Sequence, residues 1–145
     1  MIKIGLDTES LHLWFQNHRM DIFGFIETAH EFGLDGVMIN IISDYGLDPE
    51  WGIIESNKPE HLARVKALLD KYNMYCEIAT KGIGYDHLVK VLDVAETIGA
   101  DIIRPYIPIT LNPSEDRKTG REGKYGLGQI RLDFAHALFY VADGS

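Results

Sequence analysis

The feature that most constrains the fold is an alternation of apolar, strand-like runs with amphipathic helical stretches. Ile2, Ile4 and Leu6 alternate with polar or small residues, and this period of two predicts a first strand. The second run is apolar on both faces, as in a parallel strand covered on both sides. The four runs are residues 2–7, 36–42, 74–80 and 101–107. Their pattern predicts an α/β fold in which helices pack on a parallel sheet.

Three helices follow from apolar residues at helical spacing. Asp21 is expected to cap the first helix, and Gly33 to end it. Pro59 suits the first turn of the second helix. Asp86 is expected to cap the third helix, which Gly99 ends. The connections predicted as loops are residues 8–19, 43–58 and 81–85.

The number of strand–helix units sets the size of the fold. An eight-unit barrel needs about 250 residues, and this chain has 145. We therefore expect one partial domain over residues 1–145, the N-terminal half of a TIM (β/α)8 barrel with units 1 to 4. Residues 111–128 are expected to form a long loop and residues 129–142 a helix. A small doubly wound, flavodoxin-like sheet is an alternative that would need a fifth parallel strand.

Composition narrows the class of partner. The formal net charge is −8, which disfavours general binding of nucleic acid. No stretch approaches the roughly 18 apolar residues of a membrane span, and we expect no signal peptide at the N-terminus. Cys76 is the single cysteine, and a small buried hydrophobic role is expected for it. These features predict a cytoplasmic protein.

Several segments resemble one family of barrels. The segment EFGLDGV at residues 31–37 resembles the junction between the first helix and the second strand of xylose isomerase-like barrels. The segments EIATKG at residues 77–82, VLDVA at 91–95 and IGADIIR at 98–104 continue the likeness. In this order, over roughly residues 1–110, they are similar to the sugar phosphate isomerase/epimerase superfamily.

The resemblance implies a chemistry. Members bind a small sugar or hydroxy-ketone at a divalent metal, Mn²⁺, Mg²⁺ or similar, and move a proton between adjacent carbons through an enediolate. The metal ligands implied by the family are two glutamates, an aspartate and a histidine on later strands, so those ligands are not expected in this chain. The resemblance therefore implies an isomerase or epimerase of sugars or sugar phosphates, inactive alone if the later strands are needed.

Ligands of parallel βα folds bind at the carboxyl ends of the strands. A tryptophan there can stack on a sugar, and a histidine, asparagine or tyrosine can form hydrogen bonds with its hydroxyls. An arginine can bind a phosphate through two parallel hydrogen bonds. The residues predicted to bind substrate are His12, Trp14, Asn40, Glu77, Arg104 and Tyr106.

Each candidate also has a structural interpretation. Glu77 and Arg104 lie on neighbouring strands and are expected to form an ion pair if they do not bind substrate. Trp14 with His12 is alternatively an aromatic closure of the rim, and Asn40 a satisfied polar core residue. Lys81 is more simply a solvated rim charge than an oxyanion partner. The remaining histidines, which show no metal-ligand spacing and are interpreted as surface or helix residues, are His18, His30, His61, His87 and His136.

Other functions stay open beside the isomerase. The main alternative is a non-catalytic, truncated half-barrel that binds a ligand or needs a partner, and an endonuclease of the same superfamily is disfavoured by the acidity. A half-barrel exposes two edge strands and one face of its sheet. We therefore expect a homodimer or a missing C-terminal half as the partner.

Overall fold

The structure, a computed structural model, describes residues 2–42 and 47–106. Its strands form one parallel sheet in the order β1-β2-β3-β4. They are Gly5–Asp7 (β1), Gly36–Ile41 (β2), Tyr75–Lys81 (β3) and Ile102–Tyr106 (β4). The predicted α/β class and parallel sheet are confirmed, and each strand lies within its predicted run or ends one residue beyond it.

Capping residues mark several of the helix ends. They are His12–Gln16 (α1), Ile22–Glu31 (α2), Pro59–Tyr72 (α3) and Tyr85–Ile98 (α4), with a 3-10 helix at Thr8–Leu11. Asp21 accepts a hydrogen bond of 2.7 Å from the Gly24 amide and so caps α2, as predicted. Gly99 follows α4 at φ 74°, a left-handed conformation that glycine adopts at low cost.

Two local predictions were wrong. Residues 8–19, predicted as a loop, contain the 3-10 helix and α1, because Asp7 accepts from the Glu9 amide and so caps the first turn. Phe15, only 2% exposed, anchors α1 to the core. Asp86 does not cap α4. Gly84 holds the extended cap position, and Asp86 lies inside the first turn, where its charge still favours the helix N-terminus.

The core lies between the sheet and the helices. Val37, Ile39 and Ile78 are fully buried against α2, α3 and α4, with α3 between the other two helices. Ile53 and Ile54 join this core from the connection between β2 and α3, which the sequence had indicated only as a polar loop. Each fully buried aliphatic side chain contributes about 1.5–3 kcal/mol by leaving water.

Cys76 belongs to the same core. It is a free, buried cysteine, as its expected role as a small hydrophobe required. Burial raises the pKa of the Cys76 thiol to about 12, and the carboxylates of Asp101 and Glu77 add to the effect. The thiol therefore stays protonated near neutral pH and is a poor nucleophile.

The strand order bears on the alternative fold. In a flavodoxin-like sheet, the first strand lies between the second and third strands. Here β2 lies between β1 and β3, so the described sheet has the sequential order of half a domain built from βα units. The loop predicted at residues 111–128 and the helix at 129–142 fall outside the described residues. Within residues 2–42 and 47–106, no helix combines the length and apolar character needed to cross a membrane.

Candidate functional site

Strand alternation divides the sheet into a helix face and a second face that points away from the helices, here called the distal face. Ile102 and Tyr106 on this face are 46% and 49% exposed, so solvent reaches it near β4. Its side chains, by register and alternation, are those of Asp7, Met38, Asn40, Tyr75, Glu77, Ala79, Lys81, Ile102, Arg104 and Tyr106.

Register places the polar side chains of the distal face in rows across the strands. Asn40 pairs with Ala79, and Ala79 pairs with Arg104. Lys81 and Tyr106 form the next row toward the carboxyl ends of the strands. Ala79 is fully buried and lies between Asn40 on one side and Arg104 on the other.

Asn40 is buried and only partly satisfied. Its exposure is 2%, its backbone amide donates to Thr8 Oγ1 at 3.0 Å, and its Nδ2 donates to Asp7 Oδ1 at 3.0 Å. A carboxylate only accepts hydrogen bonds, so this contact fixes which end of the Asn40 amide faces Asp7. Asn40 Oδ1 is consequently left buried without a hydrogen-bond donor among residues 2–42 and 47–106.

Glu77 and Arg104 form the ion pair that the sequence suggested. Arg104 Nη2 lies 2.6 Å from Glu77 Oε2. The exposures of the two side chains differ, at 15% for Glu77 and 56% for Arg104. The carboxylate is therefore the sheltered end of the pair, and the guanidinium is the end presented to solvent.

Tyr75 closes the opposite end of the distal face. Its ring lies against Gly36 and its hydroxyl against Gly5, and a Cβ at either glycine would collide with it. Burial, with the nearby carboxylate of Glu77, raises the pKa of the Tyr75 hydroxyl. The close contacts of the Tyr75 ring with Gly36 and of its hydroxyl with Gly5 make this end of the face a packed boundary.

His12 and Trp14 lie beyond the carboxyl end of β1, on α1 and not in the predicted loop. The ring nitrogen Nδ1 of His12 is 2.8 Å from the carbonyl oxygen of Glu9, which can only accept, so Nδ1 carries the proton. Trp14 is 52% exposed. The structure thus brings Asn40, Glu77 and Arg104 onto one face, whereas His12 and Trp14 lie on a separate element, α1, which follows β1 and the 3-10 helix in the chain.

His87 has a defined role that the sequence did not indicate. Thr80 Oγ1 donates to the Ile41 carbonyl at 3.1 Å and is 2.7 Å from His87 Nε2. The single hydroxyl proton of Thr80 is used on Ile41, so Nε2 must donate to Thr80. Burial, with the charge of Lys90, lowers the pKa of His87 and favours its neutral form. Because Thr80 belongs to the helix face, His87 ties α4 to β3 behind the candidate site.

A separate groove of about 590 Å³ lies at the start of α2. Asp21, Arg19 and Glu55 are among the residues that line it, and the residues lining it lie outside the distal face. Burial, followed by the charge of Asp21, raises the pKa of Glu55. This groove is therefore distinct from the predicted site.

The carboxylates of the distal face that could ligate a divalent metal are Asp7 and Glu77. Asp7 Oδ1 accepts hydrogen bonds from Glu9 and Asn40, and Glu77 is engaged by Arg104. No group of three or more histidine, cysteine, aspartate or glutamate residues among the described residues could hold a metal ion. The described donors do not fit the metal that the family resemblance implies.

Comparison with known proteins adds no assignment. No family model, no curated protein and no solved structure matches the chain.

Proposed function

We propose that the chain binds a small sugar or sugar phosphate at the carboxyl end of its distal face. By the resemblance of its segments to sugar phosphate isomerases and epimerases, we assign it to proton transfer between adjacent carbons of that ligand. The proposal is supported by the parallel sheet, whose carboxyl edge is where such folds bind ligands.

The observation that carries the proposal is the unmatched acceptor on Asn40. A buried polar atom without a partner costs about 1–3 kcal/mol. No described residue donates to Asn40 Oδ1, and Asp7 beside it carries a second carboxylate oxygen that can accept. A polyhydroxylated ligand supplies hydroxyl donors on adjacent carbons, and one of them would satisfy Asn40.

The other predicted residues take supporting roles in this proposal. Tyr106 shares the distal face, and its hydroxyl can donate to or accept from a ligand hydroxyl. Trp14, exposed on α1, offers an aromatic surface to the apolar face of a sugar ring. A second copy of the chain, or a C-terminal half, is proposed to cover the sheet edges; a monodisperse monomer in light scattering would contradict the homodimer.

Calorimetric titration of the chain with a panel of aldoses, ketoses and their phosphates tests the binding. Asn40→Ala is expected to weaken binding about tenfold, because one hydrogen bond contributes roughly 0.5–1.5 kcal/mol. The fold should tolerate the change, since it is the backbone N–H of residue 40 that donates to Thr8, and alanine keeps this group. Asn57→Ala, an exposed asparagine in the connection before α3, is the matched control.

Proton transfer is measured separately, by incorporation of solvent deuterium into bound sugar with and without added Mn²⁺ or Mg²⁺. Exchange at a carbon next to the carbonyl supports the isomerase. Binding without exchange supports the alternative of a non-catalytic binding module. If no member of the panel binds, or if Asn40→Ala and Asn57→Ala behave alike, the assignment of this face is wrong.

A further inference from the structure

One flank of α4 carries apolar side chains that the core does not use. Val89 and Leu92, here called the α4 stripe, are half-buried, and neither belongs to the hydrophobic core of the described residues. Lys90 precedes Leu92 by two residues and so lies about 160° around the helix from it. Lys90 pairs with Glu50 in the connection that leads to α3. The α4 stripe therefore lies on the flank that points away from α3.

The helix face of the sheet is also less covered at β4 than at the strands before it. Ile39, Ile78 and Ile103 lie in one row across β2, β3 and β4. Ile39 and Ile78 are fully buried, whereas Ile103 is only half-buried, as is Pro105 on the same face. Among the described residues the layer of helices therefore ends at α4, and the sheet continues one strand beyond it.

The chain itself supplies an occupant for this surface. β1, β2 and β3 are each followed by a helix on this face, and the right-handed connection of parallel strands places each new helix beside the last. The sequence continues after β4 from residue 107 to residue 145, which is long enough for one more connection and helix. The apolar residues that recur there at helical spacing are Leu127, Ile130, Phe134, Leu138 and Val141.

We infer that residues 127–141 form a helix that docks beside α4 and over β4, with its apolar side against the α4 stripe and Ile103. Asp93 and Glu96 are exposed on α4 near the stripe, and Arg131 in the docking segment carries the opposite charge. The docked helix extends the core of the helix face to β4. The inference does not depend on the proposed function, which concerns the distal face.

Limited digestion of the full chain with trypsin tests the docking, because the segment supplies its own control. Arg117, Lys118, Arg121 and Lys124 precede the docked residues, whereas Arg131 lies among them. A docked helix must open before trypsin can cut it, so initial cleavage after Arg131 is expected to be at least about tenfold slower than after the four earlier sites. Equal rates, measured by mass spectrometry, would overturn the inference.

Leu92→Asp places a charge in the docking surface and is expected to remove the protection of Arg131. The buried residues of α4, among them Val91 and Ile98, are unchanged, so circular dichroism should still show a folded protein. Leu13→Asp is the matched control, because it introduces the same charge at an exposed leucine of another helix, α1. Protection that is lost in both variants, or kept in both, would contradict the docking.

Phe134→Asp repeats the test from the other side of the contact and covers the case in which Leu92→Asp does not fold. It alters none of the described residues and is expected to expose Arg131 to trypsin as fully as Leu92→Asp does. Unchanged protection would overturn the inference. Protection that disappears on about tenfold dilution of the protein would assign the surface to a second copy, and so also contradict docking within one chain.

Discussion

The two faces of β3 differ although they alternate along one strand. On the helix face, Ile78 is fully buried in the core and Thr80 has hydrogen bonds to Ile41 and His87. On the distal face, Glu77 pairs with an exposed arginine, and Asn40 of the neighbouring row has an acceptor to which no residue in the described part of the chain donates. The polar groups that stabilise the fold have hydrogen-bond partners, whereas only some of those in the candidate site have them. Such local inconsistencies are expected at functional sites.

The largest expected effect comes from truncating one isoleucine on each face. Ile78→Ala should lower the free energy of unfolding by about 2–5 kcal/mol, because a cavity replaces a fully buried side chain. Ile102→Ala, on the distal face at 46% exposure, should cost less than about 1 kcal/mol. Urea denaturation of both variants measures the difference.

The same pair of variants tests whether the distal face is covered in solution. If Ile102→Ala costs as much as Ile78→Ala, Ile102 is buried by a partner or by another part of the protein, and the contrast between the faces is wrong. Repeating the denaturation at several protein concentrations separates these cases, because only burial by a second copy makes stability depend on concentration.

A smaller effect on stability is expected at Gly36, against which the Tyr75 ring packs on the distal face. Gly36→Ala should lower stability by about 1–3 kcal/mol, because the new Cβ would collide with the ring and the backbone carbonyl of Tyr75. Gly24→Ala is the control. It lies within α2, its Cβ would meet only Asp21 Oδ1 at 3.3 Å, and alanine favours a helix by up to about 1 kcal/mol over glycine. Equal thermal stability of the two variants would show that Tyr75 does not close this end of the face.

The sequence predicted the helix face better than the distal face for a physical reason. The buried residues of the strands and of α3 and α4 follow local periodicities that can be counted along the chain. The contact of Asn40 with Asp7 joins residues far apart in sequence and depends on the register of β1 on β2. Glu77 and Arg104 were predictable as a pair because a charge inside a strand needs a partner, but which of them is exposed depends on packing.

Loops were predicted least well. Ile53 and Ile54 lie between polar residues without a helical or strand period, so nothing local indicated that both are fully buried. The 3-10 helix after β1 depends on a capping contact of Asp7, a residue predicted to end a strand. His87 was interpreted as a surface or helix residue because its partner, Thr80, is brought to it only by the packing of α4 on β3.

The smallest expected effect is a pH dependence located on the helix face. The pKa of His87 is lowered from its ordinary value of 6.5, by burial first and by Lys90 second. Between that lowered value and 6.5, the unfolded chain binds more protons than the folded protein, so stability rises with pH and is lost as pH falls below about 6.5. His87→Gln keeps a donor for Thr80 and does not titrate, so its unfolding free energy should lose this part of the pH dependence.

NMR titration of the His87 ring should give a midpoint below 6.5 that rises in Lys90→Gln. A midpoint above 6.5 would mean that His87 is not held neutral against Thr80. The hydrogen bond between α4 and β3 would then not be formed as described, and the contrast between the two faces would be weaker.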